Sequence, residues 1–506
     1  MSRSPRPGVL AIDLGTSSVK ALVVDQRGEI AGRGGATYPT HHPSPGFDEQ
    51  EVDDWLDATI TATSAARRFA PDVEIHAVSV TGQMHGTVLF DEHNQALGRA
   101  IVWSDRRAVD DLETLEQSLP ADLRRRIGGP LATGYQIASL HWLRQHQQRV
   151  WSRIRKILLP KDALILLLTG IAATDPSDAV STGLFDAERG QWDSSILDAL
   201  ELNPDWLPPI LPSGTPIVPL AAAAAGALGI PAGIPVIVAG GDAPVAAVGT
   251  GVTSARSALV VLSTGAQIVR PTSSYTPDPD GRWHTWPAAV PGGGGDTGWN
   301  RVGAVLNSGR AVNWLHGLIG GSGTVRELVD TAALAPPGAY GLLFLPYLAG
   351  ERSPILDPHA RGAFMGLTAR HGPEHLTRAV LEGVTFSIAD AMDRFSREDA
   401  PPTMIHLGGG GSSAPIWRQI IGDVIGAPIQ TSDLTDTSAF GAARIAAHTL
   451  GWITLPDDHE WLPRRTTVVT PNRERAALYR EILPIYRNLA SAVLPLTHEL
   501  ARVTSG

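Results

Sequence analysis

Residues 8–25, GVLAIDLGTSSVKALVVD, carry two short apolar, β-branched runs joined by a turn of glycine and hydroxyl residues. Gly8–Asp13 reads as a strand ending in Asp13 and Val19–Asp25 as the strand returning from it, and Glu29–Ala36 can return once more as a third. A tight Gly-Thr-Ser turn between strands presents backbone N–H groups and hydroxyls along one concave edge, which suits phosphate oxygens. It is unlike the strand-to-helix turn of the P-loop or the dinucleotide fold. The same residues also fit an ordinary hairpin with an aspartate at its shoulder. Half a chain later the plan returns: Ala258–Ser263 (ALVVLS) is an apolar run, Thr264-Gly265-Ala266 a small turn, and Gln267–Arg270 a second strand. An internal repeat of this kind points to an α/β chain of two related domains facing one another, with a cleft between their turns.

With 506 residues the chain has room for roughly two to four domains. Its 43% hydrophobic content is that of a soluble globular protein. Acidic residues outnumber basic ones, 51 to 41, so there is no basic footprint for nucleic acid or an anionic membrane. Any bound phosphate must be held locally, by backbone N–H groups and a few cations. The absence of cysteine excludes disulfides, thiolate metal sites and a cysteine nucleophile, and fits a cytoplasmic chain. MSRSPRPG at the start is short and polar rather than a signal segment, and no run of about 18 apolar residues offers a transmembrane helix.

Between the two turns strands and helices alternate. Glu51–Arg68 sets Val52, Trp55, Leu56 and Ile60 on one helix face. Val73–Val80 is a strand running into Thr81-Gly82-Gln83-Met84-His85-Gly86, which places an amide and an imidazole where ligands bind in open α/β sheets. A lone histidine is more often structural, but glycines on both sides leave His85 little packing to join. Ile101–Arg107 reads as another strand end, carrying Trp103 and Asp105. Pro271–Trp299 reads as an exposed excursion, and its GGGGD run at 292–296 is given no phosphate role because no strand leads into it. Glu374–Ala391 is a long helix. Ile405–Leu407 leads into Gly408–Gly411 and a helix over Pro415–Ile425, and bare glycine backbone there lets a base or ribose lie against it. Ser438–Leu450 is a helix, as is Arg473–Ala492, with a kink expected at Pro484.

At mid-chain stands VIVAGGDAPVAAVGTG, residues 236–251. Pro235–Val238 reads as a buried strand. Gly240 and Gly241 strip it of side chains at its end, Asp242 sits at its mouth, and a helix starts behind at Ala246–Ala247. Asp242 is either a catalytic base or the N-cap of that helix, which is the commoner use of an aspartate there.

Taken together the pieces resemble the FGGY carbohydrate kinases, and within them the xylulokinases. The resemblance rests on AIDLGTSSVKALVVD (11–25), TGQMHG (81–86), IVWSDRRA (101–108), LLPKDAL (158–164), TDPSDAVSTGLFD (174–186), GGDAP (240–244), FLPYLAGERSP (344–354), RGAFMGLTARHGPEHLTRAVLEG (361–383) and LGGGGSSAPIWRQ (407–419), in order over nearly the whole chain. It implies two ribonuclease-H-like, actin-like ATPase domains flanking a central cleft: 1–251 with the sugar site, first phosphate loop and base, and 252–506 with the nucleotide site and second phosphate loop. It also implies ATP-dependent phosphorylation of a ketose at its terminal hydroxyl, D-xylulose to D-xylulose 5-phosphate, with Mg²⁺ accompanying ATP. Sugar and ATP are then the ligands, and a homodimer stands open as the assembly.

Carried over residue by residue, Asp242 falls on the general base, Met84 and His85 on the sugar-contacting pair, and Trp103 on a wall of the sugar site. Asp13, Gly15, Thr16 and Ser17 match the first phosphate loop, with Asp13 near Mg²⁺ through water. Thr264 and Gly265 match the second phosphate loop, Gly309 and Asn313 a stretch bordering the nucleotide, and Gly409, Gly410 and Gly411 the nucleoside loop. Three positions depart from the pattern. Ala243 follows Asp242 where an Asn is usual, Ser263–Ala266 stands for Gly-Thr-Ser-Gly, and Ala414 replaces an Asn. A missing hydroxyl partner alters discrimination between sugars. A kinase for ribulose, gluconate or a deoxyketose therefore remains an alternative, as does a catalytically silent actin-like clamp.

Overall fold

The computed structural model describes residues 5–217, 219–290, 298–320, 323–395, 400–455, 461–462 and 466–504. The first half builds β1 (Arg6–Leu14), β2 (Ser18–Asp25), β3 (Ile30–Thr37), α1 (Val52–Phe69), β4 (Val73–Gly82), α2 (Pro160–Thr169), β5 (Pro216–Ile217), β6 (Val236–Gly241) and α3 (Asp242–Thr250). The second builds β7 (Ser257–Leu262), β8 (Ala266–Thr272), β9 (His284–Pro287), β10 (Trp299–Val305), α4 (Gly309–Leu318), α5 (Pro373–Phe395), β11 (Met404–Gly408), α6 (Pro415–Ile425), β12 (Ile429–Ser432), α7 (Thr437–Thr449), β13 (Thr466–Val469) and α8 (Arg473–Thr504).

Six strands in the order β5-β6-β4-β1-β2-β3 form one sheet, and seven in the order β9-β10-β8-β7-β11-β12-β13 form the other. In each, three antiparallel strands are followed by two parallel ones: β3-β2-β1-β4-β6 matches β10-β8-β7-β11-β12. The repeat read from two short turns therefore extends to the whole sheet topology. β1 is apolar without a break from Val9 to Ile12 because both its faces are covered there. Leu10, Ile12 and Leu14 pack towards α1 and α2, while Val9 and Ala11 pack with Phe440, Ala443 and Ala447 of α7. Helix α7 comes from the second half yet lies on the first sheet, and it crosses α3 at backbone contact. A Cβ on Gly249 would stand 2.0 Å from the Thr437 carbonyl oxygen, and one on Gly441 2.0 Å from that of Val245.

Three local expectations need correction. Only Ala100–Ile101 is strand at the third motif. Asp105 turns the chain there, accepting N–H groups from Arg107 (2.9 Å) and Asp48 (2.7 Å), and such an Asx bond competes with ladder pairing. Pro271–Trp299 is not an exposed excursion: His284–Pro287 adds a strand to the second sheet, with Thr285 and Trp286 buried. The Thr285 N–H donates to the Gly128 carbonyl (2.7 Å), so the segment is anchored on the first half. The GGGGD run lies outside the described residues. The last helix runs on through Pro484 and Pro495 to Thr504, held down by buried Tyr479 and Tyr486; this packing outweighs the hydrogen bond each proline removes. Among the described residues no helix is long and apolar enough to cross a membrane.

Candidate active site

Asp242 is the first residue of α3, and the N-cap position belongs to Gly241. β6 runs through both glycines to its mouth. Gly240 has φ 141°, and a Cβ on Gly241 would lie 2.7 Å from Met84 Cγ, so only glycine lets the Met84 side chain pass. Burial, then the negative charge of Asp13, push the Asp242 carboxyl up to about 7, against the Ala243 N–H and Lys20. Asp13 lies at the end of β1, paired with Thr81 on β4 and Lys20 on β2. It is buried, its Oδ1 has no hydrogen-bond partner among the described residues, and desolvation raises it to about 6, opposed by Lys20 and aided by Asp436.

The first turn is braced. Gly15 N–H donates to the Ser18 carbonyl (3.1 Å), Gln50 donates to the Thr16 carbonyl (2.6 Å), and Tyr38 donates to the Gly15 carbonyl. Trp103, 47% exposed, donates its indole N–H to Thr16 Oγ1 at 2.8 Å. Thr16, Met84, His85, Trp103 and Asp242 line one cavity of about 270 Å³. Gln83, the amide of the Thr81–Gly86 loop, lines it too, together with Tyr135, Gln267, His284, Trp286 and Arg352, which carry no clear site signal in the sequence.

His85 is packed among aromatic rings and not left bare by the flanking glycines. It stacks on Tyr135 at 4.7 Å and meets Trp286 edge-on at 6.0 Å. Its Nδ1 lies 2.9 Å from the Ser181 carbonyl, which can only accept; the proton therefore sits on Nδ1 and Nε2 is left as an acceptor. Desolvation lowers its pKa to about 4, and His284, half-buried near His85 and Arg352, falls to about 3 for the same reason; both rings are neutral at pH 7.

The second turn, Ser263–Gly265, is packed on the start of α4. Gly309 N–H donates to the Ser263 carbonyl (2.9 Å) and Arg310 N–H to that of Thr264 (2.9 Å). Asn313 is exposed one turn further along α4. Gly409, at φ 78°, and Gly411 sit against Leu262, where a Cβ on Gly409 would come 2.2 Å from a carbonyl oxygen. Thr264, Gly265, Gly309 and the glycine loop thus lie together where β7 and β11 end, in the middle of the second sheet. Gly409 and Gly410 also open onto a cavity of about 690 Å³ shared with Lys20, Ser412, Ser413, Arg418 and Thr437; Thr264, Gly265, Gly309 and Asn313 do not line it.

Lys20 stands beside Asp13, a cation next to the first turn that the hairpin reading makes legible: β2 pairs the two residues. His284 and Trp286 carried a fainter sign, the alternation of WHTWP amid turn residues. Asp436 ties the halves together, 2.7 Å from Arg33 and 3.7 Å from Lys20. Among the described residues no three His, Asp or Glu side chains form a ready metal cage.

The model of the N-terminal domain of the FGGY family of carbohydrate kinases matches residues 8–249, and that of the C-terminal domain residues 258–450. The chain belongs to the FGGY family of carbohydrate kinases. It is an enzyme that phosphorylates a sugar, with ATP as phosphoryl donor, and its two domains have the actin-like ATPase fold. It is 31% identical over 505 residues to the xylulose kinase of Staphylococcus epidermidis, across 98% of this chain and 99% of that one. The solved xylulose kinase of Lactobacillus acidophilus superposes with a TM-score of 0.90 at 27% identity, covering 96% of this chain and 98% of the other. The gluconate kinase of the same organism reaches 0.91 at 26% identity, covering 98% and 100%.

Proposed function

We propose that this FGGY kinase transfers the γ-phosphoryl group of ATP to the terminal hydroxyl of D-xylulose, with Asp242 as general base. The observation that carries the reading is the convergence of Asp242, Met84, His85 and Trp103 on one cavity, beside the braced first turn. Asp242, raised to about 7, can take the proton of the attacking hydroxyl without being too weak a base at neutral pH. His85 Nε2 accepts a sugar hydroxyl, and Met84 and Trp103 wall the carbon skeleton. N–H groups of Thr16 and Ser17 in the first turn and of Thr264–Gly265 in the second, with Lys20, hold phosphate oxygens in line, where positioning supplies most of the catalysis. Gly309, Asn313 and Gly409–Gly411 border the nucleoside. Asp13 would suit Mg²⁺: its buried Oδ1 has no hydrogen-bond partner among the described residues, and a carboxylate oxygen is the donor such a hard cation takes from a protein that binds it with a nucleotide. There the ion would neutralise phosphate charge. Residues 1–251 and 252–506 are taken as the bodies that close around these groups.

A second reading has an observation of its own. The Arg352 side chain has no hydrogen-bond or ion-pair partner among the described residues and lines the sugar cavity, so an aldonate carboxylate would find a cation there. Gln267 lines the same cavity and offers an amide where Ala243 provides none. A coupled ADP-release assay over ketoses and sugar acids decides between them. D-Xylulose should be turned over with the highest kcat/KM; gluconate in that place would transfer the assignment to the acid, and ATP hydrolysis indifferent to every sugar would end the kinase mechanism. His85→Ala should raise the sugar KM by about tenfold, the worth of one lost hydrogen bond and its packing, and leave the ATP KM nearly unchanged. Equal effects on both constants would make His85 structural.

A further inference from the structure

Behind the sugar cavity lies a charge cluster that the mechanism does not use. Lys161, Asp162, Asp175 and Asp178 are all fully buried. Lys161 Nζ stands 2.5 Å from Asp162 Oδ1, 3.1 Å from Asp175 Oδ1 and 3.2 Å from Asp178 Oδ2. One ammonium faces three carboxylates. Burial works against the lysine charge but the carboxylates outweigh it and hold Lys161 above its ordinary value, while burial raises Asp162 and Asp178. Buried charges of this kind rarely stabilise a fold better than well-packed apolar side chains of the same volume. The reason for this one lies in what hangs from it.

Two hydroxyl arms leave the cluster. In the first, Ser181 Oγ donates to Asp178 Oδ1 (3.2 Å) and accepts the His85 backbone N–H (2.9 Å), while the Ser181 carbonyl accepts His85 Nδ1–H (2.9 Å). His85 has φ 63°, a left-handed conformation costly for a residue with a Cβ, and these bonds keep it there. In the second, Ser177 Oγ donates to Asp175 Oδ2 (2.5 Å) and accepts the Gly241 N–H (3.2 Å), immediately before Asp242. Ser213 Oγ donates to the same Asp175 oxygen (2.9 Å). Ser177 Oγ also stands 2.5 Å from where a Cβ on Gly240 would project, so the arm closes on the bulged end of β6. Asp175 also caps the short helix Pro176–Ala179, a local duty that explains neither the lysine nor the bond to Gly241.

We infer that the Lys161 cluster is a shared positioning anchor: its Asp178–Ser181 arm sets the His85 imidazole and its Asp175–Ser177 arm sets the strand mouth that aims Asp242. Sugar contact and proton acceptance are thereby held in register by one buried group. The inference rests on the roles proposed above for His85 and Asp242. Removing Lys161 would strand three carboxylates in the core, so the serines are the informative sites.

Steady-state kinetics with the preferred sugar and ATP, on variants first checked for folding by circular dichroism, provide the test. Ser181→Ala should raise the sugar KM about tenfold with kcat and the ATP KM changed by less than about threefold, and Ser181→Thr, which keeps the hydroxyl, should restore most of the loss. Ser177→Ala should lower kcat about tenfold and move the sugar KM by less than about threefold. Folded serine variants with wild-type constants, or with the same proportional fall in every constant, overturn the anchor. Run in parallel, His85→Ala and Asp242→Asn separate the causes. If those two act as expected and the serines do not, the anchor alone falls; if those two are silent, the site assignment falls and takes the anchor with it.

Discussion

Asp242→Asn is expected to yield a folded protein that still binds sugar and ATP but whose kcat has dropped by about 10³- to 10⁴-fold, the upper end of what a positioned base supplies. The amide keeps the shape at the mouth of β6 and loses only the capacity to accept the hydroxyl proton. The wild-type pH profile should rise through about 7, the value to which burial and the Asp13 charge push this carboxyl, because transfer needs it ionised. Stability moves the other way. A carboxyl whose folded pKa exceeds its unfolded one costs stability when ionised; the cost is nearly absent below about pH 4 and fully present above about pH 7. Asp242 and Asp13 carry that cost together. The Asn variant should therefore be more stable than wild type at pH 8, by on the order of 1 kcal/mol once the partial exposure of Asp242 to the cleft is allowed for, and no more stable near pH 4. Thermal melts at both pH values and single-turnover transfer assays check the pair. Near-normal turnover by the variant would remove Asp242 from the chemistry, and a destabilised variant at pH 8 would mean the carboxylate is a structural acceptor.

The fold was legible because it was written twice. Two strand–turn–strand signatures half a chain apart stood in for sheets whose strands pair in the same order, and the apolar runs on β1, β4 and β6 needed no partner to be recognised. What the sequence concealed was everything that depends on the two halves meeting. His284 and Trp286 occur among prolines, aspartates and glycines that locally spell a loop. Only the pairing of His284–Pro287 with β10, and the bond from Thr285 to Gly128, turn the segment into a wall of the cavity. LLPKDAL gives no local sign of what Lys161 does, and its burial among Asp162, Asp175 and Asp178 joins residues that sequence spacing does not relate. His85 was chosen for a reason the structure reverses, since it is packed against Tyr135 and Trp286 rather than left bare. Ladder periodicity is local and survives reading along the chain; a site assembled by a domain interface does not.

The crossing of α3 and α7 supplies the second large effect. Gly441→Val should cost about 3 kcal/mol or more, and Gly441→Ala about 1–3 kcal/mol, because the added carbon falls 2.0 Å from the Val245 carbonyl oxygen, a backbone atom that no rotamer change can clear. The expectation runs against helix propensity, which favours Ala over Gly in a helix interior by about 1 kcal/mol. An internal control makes the contrast sharp: Gly226, inside the helix Ala222–Leu228, has open space at its Cβ position, so Gly226→Ala should stabilise the protein by about 0.5–1 kcal/mol. The consequences of Gly441→Ala should reach catalysis as well as stability. α3 starts at Asp242, and just before α7 lies Asp436, paired with Arg33 and Lys20. Ser438 of α7 donates to the Asp242 carbonyl at 3.2 Å. Forcing the helices apart therefore shifts Asp242, the proposed base, relative to Asp436 and Lys20, and near-attack geometry tolerates little displacement. Denaturant unfolding together with kcat on the folded variant reads both effects. If Gly441→Ala matched Gly226→Ala in stability and kept full kcat, the two helices would not be packed backbone to backbone, and the crossing could not be what couples Asp242 to the second domain.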